Sequence, residues 1–350
     1  MRLPVVWSDD CLRHDPDAEV FVGVRMPAVE VAARVERIRE ALAAAGAPFV
    51  AAVPHDDEVL LAVHDAGLVG WLRGAWDEWE RSGLRDDPGQ DRVVPYNFMR
   101  RGVGARREPV AAWARAGWFA YDTMTPIGPG TWEAARGAVD CALTAADLVA
   151  GGEPAAYACV RPPGHHACRD GFGGSCYLNN ASVAAEALRA RLGGAVAVVD
   201  VDAHHANGTQ ELFYDRADVV VASVHVDPGA GWFPHVLGFA DETGSGEGEG
   251  ANLNLPLTPG AGDDEWLAAV VRAAAAASAC RALVVSLGVD AAAGDPESPL
   301  RVSEAGYREA GRILGVLGLP TVLVQEGGYD LATIGSLVRE TLLGFEAGHG

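Results

Sequence analysis

Residues 198–210 read VVDVDAHHANGTQ, and the fold is decided here. An apolar run, 195–201, ends in acids and histidines, and Asp200, Asp202 and His204 stand at alternate positions. On an extended strand, alternate side chains leave the same face. Working outward, further short apolar runs rich in Val and Ala lie at 155–160, 218–226, 282–289 and 320–325, with helical segments between them. Strands that are apolar throughout and separated by helices must be covered on both sides. The expected fold is therefore α/β: a single open, mostly parallel sheet with helices on both faces. Sheets of this kind take their ligands at the carboxyl ends of the strands. The polar clusters of this chain fall there: 161–166, 200–207, 223–227, Asp290 and 326–329.

Asp202 and His204 offer one carboxylate and one imidazole, and Asp290 stands at the end of another strand run with no obvious core role for an acid. Three ligands of O, N and O type with a fourth position open suit a catalytic zinc. Spacing alone equally allows Asp200 and Asp202 to cap a helix or shape a turn. RPPGHHA (161–167) puts His165 and His166 side by side on a loop stiffened by proline and glycine. Paired imidazoles can supply a base and an electrostatic partner for an oxyanion, although adjacent surface histidines are also common. Tyr329 follows two glycines in QEGGYD (325–330), where a phenol can donate to a carbonyl or simply cover the sheet end. Ser223 can pair with Asp200 or ligate a second cation. No G-x-S-x-G elbow, Walker loop or G-x-G-x-x-G opening a helix occurs, which weakens serine-hydrolase and nucleotide-dependent readings.

The chain has 350 residues, 49% of them hydrophobic, enough for one large domain spanning 1–350. Its formal net charge of −21 disfavours nucleic acid and favours neutral or cationic partners. Every basic side chain is Arg, so Schiff-base and lysine-base chemistry are excluded. Six cysteines form no C-x-x-C pair and suit reduced thiols. The N-terminal stretch has no basic region followed by an apolar one, and no run approaches the roughly 18 apolar residues of a membrane span. A cytoplasmic protein with no membrane partner is expected. Helical periodicity covers 29–45 and 58–79, and a Pro- and Gly-interrupted insertion at 82–109 carries Arg100, Arg101, Arg106 and Arg107. Long irregular insertions of this kind are usually functional or interfacial.

RPPGHHA, GGSCYLNN (173–180), VDVDAHHANGTQ (199–210), LGVDAAAGDP (287–296) and EGGY (326–329), taken in this order, resemble the histone deacetylase and acetylpolyamine amidohydrolase family, with its arginase–deacetylase fold, across essentially the whole chain. AWDEWERSG (75–83), GTWEAAR (130–136) and FPHVLGFADETGSGEGEGANLN (233–254) resemble the bacterial acetylpolyamine amidohydrolases in particular. The resemblance implies an amidohydrolase using metal-activated water. Asp202, His204 and Asp290 would bind zinc, or iron in its place. His165 and His166 would form the catalytic pair, held by Asp200 and Asn207, and Tyr329 would polarise the carbonyl and stabilise the oxyanion. It further implies structural potassium near Asp200, Asp202, His204 and Ser223, and again around Phe213, Arg216 and Val219. The 82–109 insertion looks like the loop that builds a homodimer in the bacterial subgroup.

For the substrate channel the resemblance points to Gly174, Ser175, Phe233, Glu297 and Met124. Ser175 stands where these enzymes usually carry an aromatic wall, which widens one side, while Phe233 keeps the other. Glu297 stands where a polyamine-selective member has a rim glutamate, whereas Met124 replaces an acid found in some bacterial enzymes. A small cationic acylated amine, above all an acetylpolyamine, is the expected substrate. Acetyl-lysine proteins and small-molecule amides remain alternatives, as does a fold retained without activity. An arginase-like site with two manganese ions would need an acid at the end of a D-x-H-x-D pattern, and Ala206 stands there.

Overall fold

The computed structural model describes residues 1–99 and 107–350; Arg100, Arg101 and Arg106 of the insertion lie outside the described residues. The chain opens with β1 (Val5–Trp7), a hairpin of β2 (Ala18–Phe21) and β3 (Val24–Pro27), α1 (Ala33–Ala44) and β4 (Phe49–Ala51). Helices α2 (Glu58–Val63), α3 (Ala66–Arg81), α4 (Ala112–Phe119) and α5 (Thr131–Ala150) lead to β5 (Ala155–Ala158). Strands and helices then alternate: α6 (Asn180–Leu192), β6 (Val196–Asp200), α7 (Asn207–Phe213), β7 (Val219–Val226), β8 (Asn252–Leu257), α8 (Asp263–Ala277) and β9 (Ala282–Leu287). α9 (Glu304–Gly315), β10 (Thr321–Gln325) and α10 (Ile334–His349) complete the chain.

Eight strands form one sheet in the order β4-β1-β5-β10-β9-β6-β7-β8, and all of its pairings are parallel. The expected open sheet is thus present, and parallel throughout. β6, β9 and β10 are buried at every position, in keeping with their mainly apolar sequences. α5 and α6 pack together on one side of the sheet; α8, α9, α10 and α1 form the layer on the other. Among the described residues no helix is long and apolar enough to cross a membrane.

Two local readings change. The helical pattern over 58–79 is two helices: the chain turns extended at His64, and Asp65 caps α3 by accepting from the Gly67 amide. The break is anchored from outside, because buried His64 donates from Nδ1 to the Cys168 carbonyl and accepts the Asn179 amide at Nε2. Within 82–109, the Trp79 indole donates to the Gln90 carbonyl, and Val93 pairs with Ile127 as an isolated bridge.

Candidate active site

The four strands β5, β10, β9 and β6 are neighbours in the sheet although they lie far apart in sequence. Their carboxyl ends carry, in turn, the histidine pair, Glu326–Tyr329, Asp290 and Asp200–His204. The strand order therefore gathers the separate polar clusters at one place.

Ligand atoms of Asp202, His204 and Asp290 all lie within 4.8 Å of one another. His204 Nδ1 is 3.2 Å from Asp202 Oδ1 and 3.0 Å from Asp290 Oδ2. The carboxylates are braced from behind by amides: Ala203 donates to Asp290, His204 and Gly327 to Asp202. Gly327 is required here, since a Cβ would stand 2.5 Å from an Asp202 oxygen and 2.6 Å from an Asp290 oxygen. Burial and the adjacent Asp202 carboxylate push the Asp290 carboxyl up to about 7. Two buried carboxylates and an imidazole converging on one point fit a divalent cation, and the O, N, O donor set with one side open to a pocket suits zinc. A second cluster, His165, Cys176 and Glu326, has a different use. Glu326 accepts from the Gly164 and His165 amides and from the Ser286 hydroxyl, so its oxygens are spent anchoring the histidine loop.

His165 and His166 are both buried, with ring centroids 4.0 Å apart. His165 Nδ1 lies 3.1 Å from Asp200, and His166 Nδ1 lies 2.6 Å from Asn207 Oδ1. Burial disfavours a charge on His165, but Asp202 and Asp200 outweigh it and push its pKa up to about 10. For His166, burial together with His165 and His204 holds the pKa well below the ordinary histidine value. Adjacent imidazoles are thus driven apart, one held protonated and one neutral, the pattern that separates acid and base roles.

Half-buried Tyr329 faces the same pocket; its amide donates to Asp295, and the guanidinium of buried Arg34 lies over its ring. Arg34 also donates to the Gly328 and Glu326 carbonyls, so the residue fixes the whole EGGY loop. Burial keeps the Tyr329 phenol above its ordinary pKa, and hence a proton donor.

These groups open into a pocket of about 450 Å³. Met124, Gly174, Ser175, Phe233 and Glu297 all line it. Phe233 meets the His166 ring edge-on at 4.9 Å. Gly174 and Ser175 have positive φ, and a Cβ on Gly174 would strike the His166 ring at 2.3 Å. Sequence reasoning missed the β2–β3 hairpin, which brings Glu19, Phe21 and Met26 to this pocket. Burial and the facing Glu297 push the Glu19 carboxyl up to about 7. Arg34 was missed as well, since a lone Arg inside an amphipathic helix reads as solvent-exposed.

Ser223 lies opposite Asp200 in the β6–β7 register and bonds His225. Arg216 sits over the Phe213 ring and pairs with Asp218 and Glu186, just ahead of Val219 at the start of β7.

The model of the histone deacetylase domain matches residues 28–345. Acetylpolyamine amidohydrolase of Mycoplana ramosa is 39% identical over 343 residues, covering 97% of this chain and 98% of its own. Acetylpolyamine amidohydrolase 1 of Pseudomonas aeruginosa is 40% identical over 348 residues, with 97% and 98% covered. The crystal structure of acetylpolyamine aminohydrolase from Burkholderia pseudomallei superposes with a TM-score of 0.93 at 39% identity, covering 99% of both chains.

Proposed function

This chain belongs to the histone deacetylase family, hydrolases of amide bonds, and on that premise we propose that it is a zinc-dependent deacetylase of acetylated polyamines. The observation that carries the substrate reading is the carboxylate pair Glu19 and Glu297, which lines the same pocket as His166, His204 and Tyr329. A substrate with an ammonium beyond its acetylated nitrogen would be attracted by both acids, and Glu19 offsets the missing acid at Met124. The relatives named acetylpolyamine amidohydrolases support the same reading.

Asp202, His204 and Asp290 would hold zinc, or ferrous iron on the same donors. When bound, the ion supplies Lewis-acid polarisation of the amide carbonyl and lowers the pKa of water to about 7. His166, neutral and with Nδ1 engaged by Asn207, takes the proton of the attacking water on Nε2 and delivers it to the departing amine. His165, held protonated beside Asp200, contributes positive charge next to the developing oxyanion. Tyr329 donates a hydrogen bond to that oxygen. Potassium near Asp200, Asp202, His204 and Ser223, and near Phe213, Arg216 and Val219, would stiffen the loops after β6 and α7. The chain is read as one deacetylase domain, 1–350, with the 82–109 insertion building a homodimer. Exposed Tyr96 and Phe98 in that insertion, with Val110 and Trp113 beside it, support the interface. A monomeric mass in solution with full activity would sink the dimer.

Hydrolysis of acetylputrescine, acetylcadaverine, acetylspermidine, an acetyl-lysine peptide and bulkier acyl amines by the zinc-loaded protein tests the function, with His166→Ala as control. Preference for the acetylated polyamines, lost in the control, is expected. Ser175 favours one second reading, a deacylase of bulkier amides, and turnover confined to those substrates would establish it instead.

A further inference from the structure

Asn207, which accepts from His166, is itself held by two groups that lie outside the catalytic pocket. Tyr121 and Cys168 line, together with Asn207, a neighbouring pocket that His166 does not line, and Phe21, Met124, Phe233 and His235 border both. The Tyr121 hydroxyl is 2.8 Å from the His166 carbonyl oxygen and 3.4 Å from Asn207 Nδ2. The Cys168 thiol reaches the same carbonyl at 3.6 Å and Asn207 Nδ2 at 3.9 Å.

The protons in this ring can be placed one by one. A carbonyl oxygen only accepts, so the phenol spends its single proton on the His166 carbonyl. What Tyr121 then presents to Asn207 is a lone pair, and the Cys168 sulfur presents another. Both require the NH2 end of the Asn207 amide to face them. The Oδ1 end must therefore face His166, and an acceptor 2.6 Å from Nδ1 requires the proton to sit on that nitrogen. Nε2 is left bare and directed to the catalytic pocket. With Asp in place of Asn207 the same outcome would need no help, because both carboxylate oxygens accept. An amide is reversible: turned over, it donates to Nδ1 and puts the proton on Nε2, which abolishes the base.

We propose that Tyr121, seconded by Cys168, is a positioning residue that fixes the tautomer of His166 by fixing the orientation of the Asn207 amide. Its consequence for turnover rests on the reading of His166 as the base. The role is exerted through Asn207, without contact with the substrate.

The test is nitrogen NMR of zinc-loaded protein labelled with 15N-histidine, in which two-bond N–H correlations separate a protonated from a bare ring nitrogen. Wild-type His166 is expected to carry its proton on Nδ1. In Tyr121→Phe, which keeps the ring stacked on Phe233, a second population protonated on Nε2 is expected, and it grows further in Tyr121→Phe/Cys168→Ala. kcat should fall roughly tenfold in Tyr121→Phe with KM unchanged, a split that general loosening of the fold would not give. Asn207→Asp should rescue: in that background, Tyr121→Phe leaves the proton on Nδ1. A Tyr121→Phe protein whose His166 stays wholly Nδ1-protonated overturns the proposal, as does an Asn207→Asp background that gives no rescue. If the Nε2-protonated form grows but His166→Ala retains wild-type kcat, the tautomer assignment stands and the base role given to His166 falls.

Discussion

The guanidinium of Arg34 lies 4.6 Å from the centroid of the Tyr329 ring, and its nitrogens reach Glu30 and the Glu326 and Gly328 carbonyls. One fully buried side chain thereby ties α1 to the loop that presents the phenol. Arg34→Ala would leave the Glu30 carboxylate short of a buried partner and two carbonyls unpaired, a loss of about 3–5 kcal/mol by analogy with broken buried ion pairs. Urea unfolding measures it. An effect below about 1 kcal/mol would mean that Arg161, which also pairs with Glu30, compensates.

Tyr329→Phe removes one oxyanion donor and leaves the pocket shape intact. kcat should drop by about 10²–10³ with little change in KM, since the bond strengthens only as charge develops. Equal losses in binding of a substrate and of a transition-state analogue would contradict this role.

Zinc should raise the melting temperature of the metal-free protein in proportion to the logarithm of its concentration, because it binds the native arrangement of three ligands. In Asp290→Ala the dependence should largely vanish, with the bound-metal content by emission spectroscopy falling in step. Retention of stoichiometric zinc would move the site away from Asp202, His204 and Asp290.

His64 makes stability depend on pH. Burial holds its pKa down to about 4, while the unfolded chain titrates near 6.5. Between these values the unfolded state binds the extra proton, so stability is fully present above pH 6.5 and is lost as pH falls toward 4. The whole shift is worth about 3 kcal/mol. Unfolding of wild type and His64→Gln at pH 7.5 and pH 5 isolates this share. The variant should lose about 2 kcal/mol less on acidification.

Glu19 gives the pocket a pH dependence of its own. With its carboxyl pushed up to about 7, the charge that attracts a cation fades as pH drops through neutrality. KM for acetylputrescine should rise below pH 7 in wild type and stay flat in Glu19→Gln. A neutral acetylated alkylamine should show no such rise in either protein.

The strands most legible in the sequence were those buried on both faces. β6 and β9 appear as mainly apolar runs because both of their faces are covered, and the polar groups they do carry, Asp200 and Ser286, are hydrogen-bonded. β1 and β4 are three residues long, and β8 carries two asparagines and a proline, so no periodicity marks them. The motif residues Asp202, His204, His165 and Asp290 stood out as polar groups at the ends of apolar strands. Glu19 and Tyr121 could not be found this way. Glu19 belongs to a mostly exposed hairpin, and Tyr121 acts on residues about 45 and 86 positions away. Such partnerships are set by the tertiary path and leave no local trace.

The last strand of the sheet occupies its middle. β10 separates β4-β1-β5 from β9-β6-β7-β8, so the histidine pair belongs to one half-sheet and Asp202, His204 and Asp290 to the other. During synthesis both halves emerge before the segment that joins them. A chain stopped short of Thr321 would contain both histidines and the three candidate zinc ligands, joined by the His165–Asp200 and His166–Asn207 bonds but without the strand that pairs the two half-sheets. The centre of the sheet is thus laid down last among its strands, and with it the loop that carries Tyr329.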